Sequence, residues 1–318
     1  MKLGNLYKRI IGIGMRNDPR SRRGAEKVLR KSKKEYRSLR GARKAAFDKD
    51  SLVNPYSDTR ILYGDKDKDI NTIMVGIDIE TPELLMADRF NQTDRRVDLV
   101  MSHHPGGRAL CELHKVMGLQ TDQLKSLGIS GETADEFMGE RIAEVARKLH
   151  SRNCMRNIDA ARMLDIPFMC VHTAADNMVT SFLQNLLDKK KPKTLGAIVD
   201  ILEGIYEYKE GASAGAGPEM LIGDRKRPAG RIFVDMTGGT EGSKRAFSRL
   251  SQIGIGTIIS MHLSEEHYKA AKKEHINIII AGHIASDNVG LNLILDELVK
   301  IEGFNIIQCS GFRRFSRI

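Results

Sequence analysis

After residue 55 the chain alternates short β-rich runs with helical stretches, and several runs are apolar on successive positions rather than on every second one. A run apolar on both faces belongs in a parallel strand covered by helices on each side. Strand–helix alternation is the pattern of α/β architecture. The candidate strands are 72–80 (TIMVGIDIE), 97–102 (VDLVMS), 167–172 (PFMCVH), 231–236 (RIFVDM), 257–261 (TIISM), 276–281 (INIIIA) and 304–309 (FNIIQC). Apolar spacing near 3.6 marks helices at 132–164, long enough to be two hinged near Asn153, and at 246–252, 265–274 and 290–301. The stretch 189–193 (KKKPK) reads as a linker and 211–217 (GASAGAG) as a mobile loop. These breaks divide the chain into a basic helical segment (1–55), a first α/β lobe (56–188, to which 288–318 returns) and a second lobe (189–287).

Charge is uneven along the chain. Residues 1–50 hold 17 Lys and Arg against 5 Asp and Glu, which is more than the whole excess of +10. A basic leader can serve as a nucleic-acid or membrane-surface arm. Here, however, Ala25, Val28, Leu29, Tyr36, Leu39 and Ala42 recur near helical spacing, which predicts an amphipathic helix lying on the body. No run of about 18 apolar residues exists to span a membrane. The apolar patch near the N-terminus is too short for a secretory signal. Four scattered cysteines (Cys111, Cys154, Cys170, Cys309) without a CxxC pair read as reduced thiols of a cytoplasmic protein, Cys170 and Cys309 in strand cores.

Open α/β sheets place ligand sites beyond the carboxyl ends of their strands. VDLVMS runs directly into His103-His104-Pro105-Gly106-Gly107. PFMCVH runs into Thr173-Ala174-Ala175-Asp176. INIIIA runs into Gly282-His283, with Asp287 four residues on. A His-His pair alone is commonplace, and Asp176 alone could cap a helix. Three strands delivering imidazole or carboxylate to the same end are harder to explain by packing. The Pro-Gly-Gly turn lets both imidazoles of the pair face one cavity, and the His283–Asp287 spacing puts both side chains on one side of a helical turn. Three imidazoles and two carboxylates suit Zn, Fe, Mn, Co or Ni, and are too nitrogen-rich for a Mg or Ca cage. Asp176 and Asp287 are the carboxylates available to bridge a pair of ions.

The segments VGIDIETPELLMAD, DLVMSHHP, VHTAADN, MTGGTEG and AGHIASDNVG, in that order over residues 72 to 290, resemble the Nif-three-like proteins, also called the GTP cyclohydrolase I type 2 family. The resemblance implies two facing α/β lobes, a dinuclear divalent-metal centre in the cleft and often a ring-shaped hexamer. Its metal ligands fall on His103, His104, Asp176, His283 and Asp287. Two departures stand out: Asp287 where the family usually has Glu, and Met261-His262 where members commonly carry Gly-Glu. His262 follows a strand and is a candidate proton donor or substrate contact. His172 ends a strand as a candidate hydrogen-bond partner of a ligand. His150, His267 and His275 fall on polar faces or turns and read as solvated. The turn Thr237-Gly238-Gly239-Thr240-Glu241-Gly242 precedes a helix, so Gly238, Gly239 and Gly242 are candidate phosphate contacts. It lacks the closing Lys-Ser/Thr of a P-loop.

Three functions follow as expectations. The first is a metal-dependent hydrolase of a nucleotide or other small phosphate-bearing substrate, an activity that the resemblance implies and that uses two metal ions to activate water. The second is a non-catalytic metal-binding scaffold or metal chaperone, assembled as a homo-oligomer. The third is a nucleic-acid-associated protein using the basic leader.

Overall fold

The computed structural model describes residues 1–318. Its nine strands are β1 (Thr59–Tyr63), β2 (Thr72–Gly76), β3 (Leu99–Ser102), β4 (Phe168–Val171), β5 (Glu219–Ile222), β6 (Arg231–Asp235), β7 (Ile255–Ser260), β8 (Asn277–Ile280) and β9 (Asn305–Gln308). They form two sheets, ordered β1-β4-β3-β2-β9 and β5-β8-β7-β6. All seven expected runs are strands and pair in parallel with one another. The two unexpected strands, β1 and β5, are the antiparallel edges. Apart from β9, the second sheet repeats the order of the first: an antiparallel edge, then three parallel strands.

Each lobe has its own core, and two helices stitch the cores together. Helix Thr173–Lys190 places Ala174, Ala175 and Met178 in the first core, and Val179, Leu183 and Leu187 in the second. Helix His283–Val299 does the same, with Leu291, Ile294 and Leu295 in one and Ala285 and Val289 in the other. The helices meet where Gly290 abuts Ala175; a Cβ on Gly290 would lie 2.5 Å from the Ala175 carbonyl oxygen. Only a glycine lets these backbones approach so closely. Burying each aliphatic side chain contributes about 1.5–3 kcal/mol, so the interlocked helices hold the lobes in a fixed relation.

The first helix, Leu3–Arg16, belongs to this core. Leu3, Leu6 and Ile10 are fully buried against the first sheet and its helices. Helix Ser21–Ser38 is different: of the apolar stripe expected to seat it, only Ala25 is buried, Val28, Leu29, Tyr36 and Leu39 are half-buried, and Ala42 beyond the helix is exposed. The long helix expected at 132–164 breaks at residues 151–155 into Gly131–His150 and Arg156–Met163. The glycine-rich 211–217 is not a free loop. Helix Tyr206–Ser213 takes its first half, and the Ala216 N–H caps it on the Gly211 carbonyl at 2.8 Å. Cys170 and Cys309 are buried, as is Cys154, and no helix is long and apolar enough to cross a membrane.

The segment between β3 and β4 crosses to the other lobe. Its helices Gly118–Leu127 and Gly131–His150 bring Leu124, Ala134 and Met138 onto Phe233, Phe247 and Ile258 of the second sheet and its helix. The cleft is thereby roofed by one lobe and floored by the other.

Candidate metal centre

The carboxyl ends of β3 and β4, and of β8 across the cleft, converge. His103 and His104 extend the parallel pairing beyond β3, their N–H groups donating to Gly76 and Ile77 carbonyls at 2.9 and 3.0 Å. The Ser102 hydroxyl donates to the His104 carbonyl at 2.8 Å and holds the turn. His103 is 1% exposed. Its Nδ1 lies 3.0 Å from the Val171 carbonyl, which can only accept, so Nδ1 carries a hydrogen and Nε2 is the atom open to a proton or a cation. That Nε2 stands 3.4 Å from Asp176 Oδ1 and 3.2 Å from Asp287 Oδ1. His104 is oriented in the same manner, Nδ1 on Asp78 Oδ1 at 2.7 Å and Nε2 3.5 Å from Asp287 Oδ2. Such outer partners fix the tautomer of metal-ligating histidines.

Asp176 and Asp287 each sit one turn into the interlocked helices. Gly282 opens the second of these at φ +106°, a conformation favouring glycine. The His283 Nε2 is 3.7 Å from Asp287 Oδ2. Both oxygens of Asp287, one of Asp176 and the Nε2 of His103 are buried without a hydrogen-bond partner. Four unsatisfied polar atoms at one point would be expensive in an empty core, and a divalent cation satisfies all of them. The donors fall into overlapping groups, His103-Asp176-Asp287 and His104-His283-Asp287, with ligand atoms within 4.8 Å of one another. Asp287 belongs to both, one oxygen toward each, so its short side chain reaches the centre of the cluster.

The electrostatics agree with this arrangement. Burial alone would lower the His103 pKa, but Asp287 and Asp176 beside it hold it well above the ordinary range. Burial would raise Asp287, but His103, His283 and His104 keep it low. Burial holds His283 below its usual value. A cation bound there would therefore compete with protons for the same cluster.

His172 stands within the cluster. Its Nδ1 is 2.8 Å from Asp58 Oδ2, which also accepts from the Thr173 hydroxyl, and its Nε2 points inward, 3.9 Å from Asp176 Oδ2. Its donor atom groups with those of His103 and His104. On the opposite wall, the His262 ring is 4.8 Å from that of His283, with Nδ1 3.4 Å from Glu241 Oε1. The two walls repeat one pattern: Ser102 ends β3 and His103-His104 follow as Ser260 ends β7 and Met261-His262 follow, and His172…Asp176-Asn177 follows β4 as His283…Asp287-Asn288 follows β8.

The glycine turn after β6 lies beneath the crossing segment. A Cβ on Gly238 would meet Gln120 at 2.6 Å, and one on Gly239 would meet Val116 at 2.9 Å. The next helix, Ala246–Gln252, begins only four residues beyond Gly242. His267 corrects the expectation of a solvated side chain. It is 8% exposed, with Nδ1 2.7 Å from the Ser264 hydroxyl and Nε2 3.0 Å from the Gly242 carbonyl. Asp58, Asp78, Asp235 and Glu241 escaped the sequence reading because single acidic residues beside turns carry no spacing signal.

Fold and cluster together define a class: two-lobed α/β proteins whose interlobe cleft gathers histidine and aspartate donors. The fold is shared with a NIF3 superfamily protein of known structure. The crystal structure of a NIF3 superfamily protein from Sphaerobacter thermophilus matches 80% of this chain and 91% of its own, with 24% identity and a TM-score of 0.69. Weaker likenesses are to reduced HcgD from Methanocaldococcus jannaschii (16% identity, 78% of this chain and 87% of that one, TM-score 0.49) and a Bacillus cereus protein related to NIF3 (10% identity, 82% and 92%, TM-score 0.44). No family model and no curated protein matches the chain.

Proposed function

We propose that the protein is a dinuclear metal-dependent hydrolase of small molecules, with His103, His104, Asp176, His283 and Asp287 as ligands and His172 as a sixth donor. The observation that carries this reading is Asp287, buried at the centre with both oxygens unpaired and each facing a different imidazole set. The mixed N/O donors suit Zn, Fe, Mn, Co or Ni. Divalent ions held there supply Lewis acidity for attack by water on an ester, phosphoester or ring amide. The chain's own residues do the rest. Asp58, Asp78 and the Val171 carbonyl orient three imidazoles. His262, its pKa raised by Glu241 and its side chain half-exposed to the cleft, is suited to protonating a leaving group. Gly239 and Gly242 line the same cavity and offer backbone contacts to a phosphate-bearing substrate.

Screening nucleotides and phosphorylated small molecules with the native protein and Asp287→Ala tests this reading. Turnover in the native protein alone supports it. Bound metal without turnover on any substrate favours the scaffold or metal-chaperone reading instead. Assembly as a homo-oligomer, a hexamer in the ring form implied by the resemblance, is part of the proposal and is read by light scattering.

A basic surface favours a second activity. Helix Ser21–Ser38 buries only Ala25 and leaves Arg22, Arg23, Lys27, Arg30, Lys31 and Lys33 exposed. If this face binds nucleic acid, replacing Arg30, Lys31, Lys33 and Lys34 by Glu abolishes a salt-dependent association; unchanged binding removes the idea.

A further inference from the structure

The metal cluster forms one end of a cavity of about 100 Å³ that runs on beneath the crossing segment. An enclosed apolar cavity of about 150 Å³ takes benzene, so a ring seated here reaches partly into the open cleft. Phe233 and Phe247 wall it from the second lobe, Leu124 and Met138 from the first. Its polar groups are one-sided. Along β6 the side chains alternate: Val234 and Met236 enter the core of the second lobe, while Phe233 and Asp235 face the cavity. The Asp235 carboxylate receives no hydrogen bond and pairs with no cation. Its neighbour Glu241 is fully engaged, accepting from the Ser264 N–H at 2.6 Å and lying between His262 and His267.

Gln120 supplies a buried acceptor without a donor. It is 6% exposed, and its Nε2 donates to the carbonyls of Thr237 and Thr240 at 3.2 and 2.6 Å. Those two carbonyls can only accept, which settles the orientation of the amide. The Oε1 is therefore the atom left over, buried without a donor at the cavity wall beside Gly242. A buried acceptor without a donor is destabilising by about 1–3 kcal/mol. The Gln120 oxygen is such an acceptor, and the half-buried Asp235 carboxylate lies unpaired in the same cavity as the two phenyl rings, so the fitting ligand is one that brings N–H groups.

We propose that this cavity is the recognition pocket of the metal cleft, and that it takes a small organic cation. Such a ligand joins a flat or compact apolar group to an amidinium or ammonium, its N–H donors shared between Asp235 and the Gln120 amide oxygen. The inference rests on the reading of the cleft as a small-molecule site, and it specifies which end of the substrate lies away from the metal. Burial, with Glu241 beside it, pushes the Asp235 pKa up to about 6 against the pull of His262, so the carboxylate is charged at neutral pH.

Benzamidine, neutral benzamide and anionic benzoate share one ring and differ in what they offer Asp235. Calorimetry on the full-length protein at pH 7.5 should show benzamidine binding at least ten-fold more tightly than the other two. Asp235→Asn should erase that preference while its metal content matches the native protein. Asp235→Ala, verified folded by its melting curve, should do likewise. Equal affinity for the three probes, or a benzamidine preference that survives in both variants, overturns the proposal. A failure of the metal reading would appear separately, as absence of bound metal in the native protein.

Discussion

Replacing Asp235 by Asn removes a charge that the folded chain disfavours, and the gain can be worked from its surroundings. Burial, with Glu241 near, lifts this carboxyl from an ordinary 3.8 to about 6, His262 pulling the other way. The folded chain therefore holds the proton more tightly than the unfolded chain. Stability from this group is fully present below pH 3.8 and is lost as pH rises through about 6. At pH 7.5 the loss is complete and amounts to about 3 kcal/mol. Asn keeps the size and polarity without the charge, so Asp235→Asn should recover ~2–3 kcal/mol. For a chain of this length that raises Tm by about 5 °C. At pH 4.5 the native side chain is largely protonated when folded, and the gain should shrink to about 1 kcal/mol. The assay is thermal unfolding of chelator-treated protein at both pH values. Adding divalent cation should reduce the gain at pH 7.5, because positive charge nearby favours the carboxylate. No rise in Tm at pH 7.5, or the same rise at both pH values, would refute the reasoning. A more stable variant that has lost its ligand would mark Asp235 as kept for function.

Three further outcomes follow. Gly290→Ala forces a Cβ to within 2.5 Å of the Ala175 carbonyl oxygen, so it should destabilise by about 1–3 kcal/mol and weaken cation binding by parting the helices that carry Asp176 and Asp287; unchanged melting and metal content would contradict the crossing geometry. Asp58→Asn leaves the His172 Nδ1 without its carboxylate and should lower metal affinity about 10–100-fold, read by chelator competition, with near-native affinity counting against His172 as a donor. Ile10→Ala, at a fully buried site, should destabilise by about 2–5 kcal/mol in denaturant melts, whereas Lys31→Glu on the exposed helix should stay within about 0.5 kcal/mol of native; equal effects would place the first helix outside the core.

The parallel strands were legible because strands buried on both faces must be apolar throughout, as INIIIA and VDLVMS are. Edge strands lack that constraint. TRILY and EMLI are partly exposed along much of their length and turn at Gly64 and Gly223, so neither periodicity nor a long apolar run marks them. The strand ends located the five ligand candidates, since a strand's direction fixes where its next residue emerges. The orienting carboxylates Asp58 and Asp78 were not legible, because a lone Asp before a strand or within a turn has many ordinary uses. The first helix was read only as a broken apolar patch, yet Leu3, Leu6, Ile10 and Ile13 share one buried face. Nothing local announced that residues 113–150 would cross to the second lobe; that follows from Leu124 and Met138 finding Phe233 and Phe247, a tertiary match outside any sequence window.

The central claim is that Asp287 holds two divalent cations between two sets of imidazoles. Its most direct test is elemental analysis of the purified protein after dialysis against trace Zn, Mn, Fe, Co and Ni, alongside Asp287→Ala. The account expects close to two ions per chain in the native protein and loss of both in the variant, because one carboxylate serves both positions. Native protein that retains no more metal than the variant would contradict it.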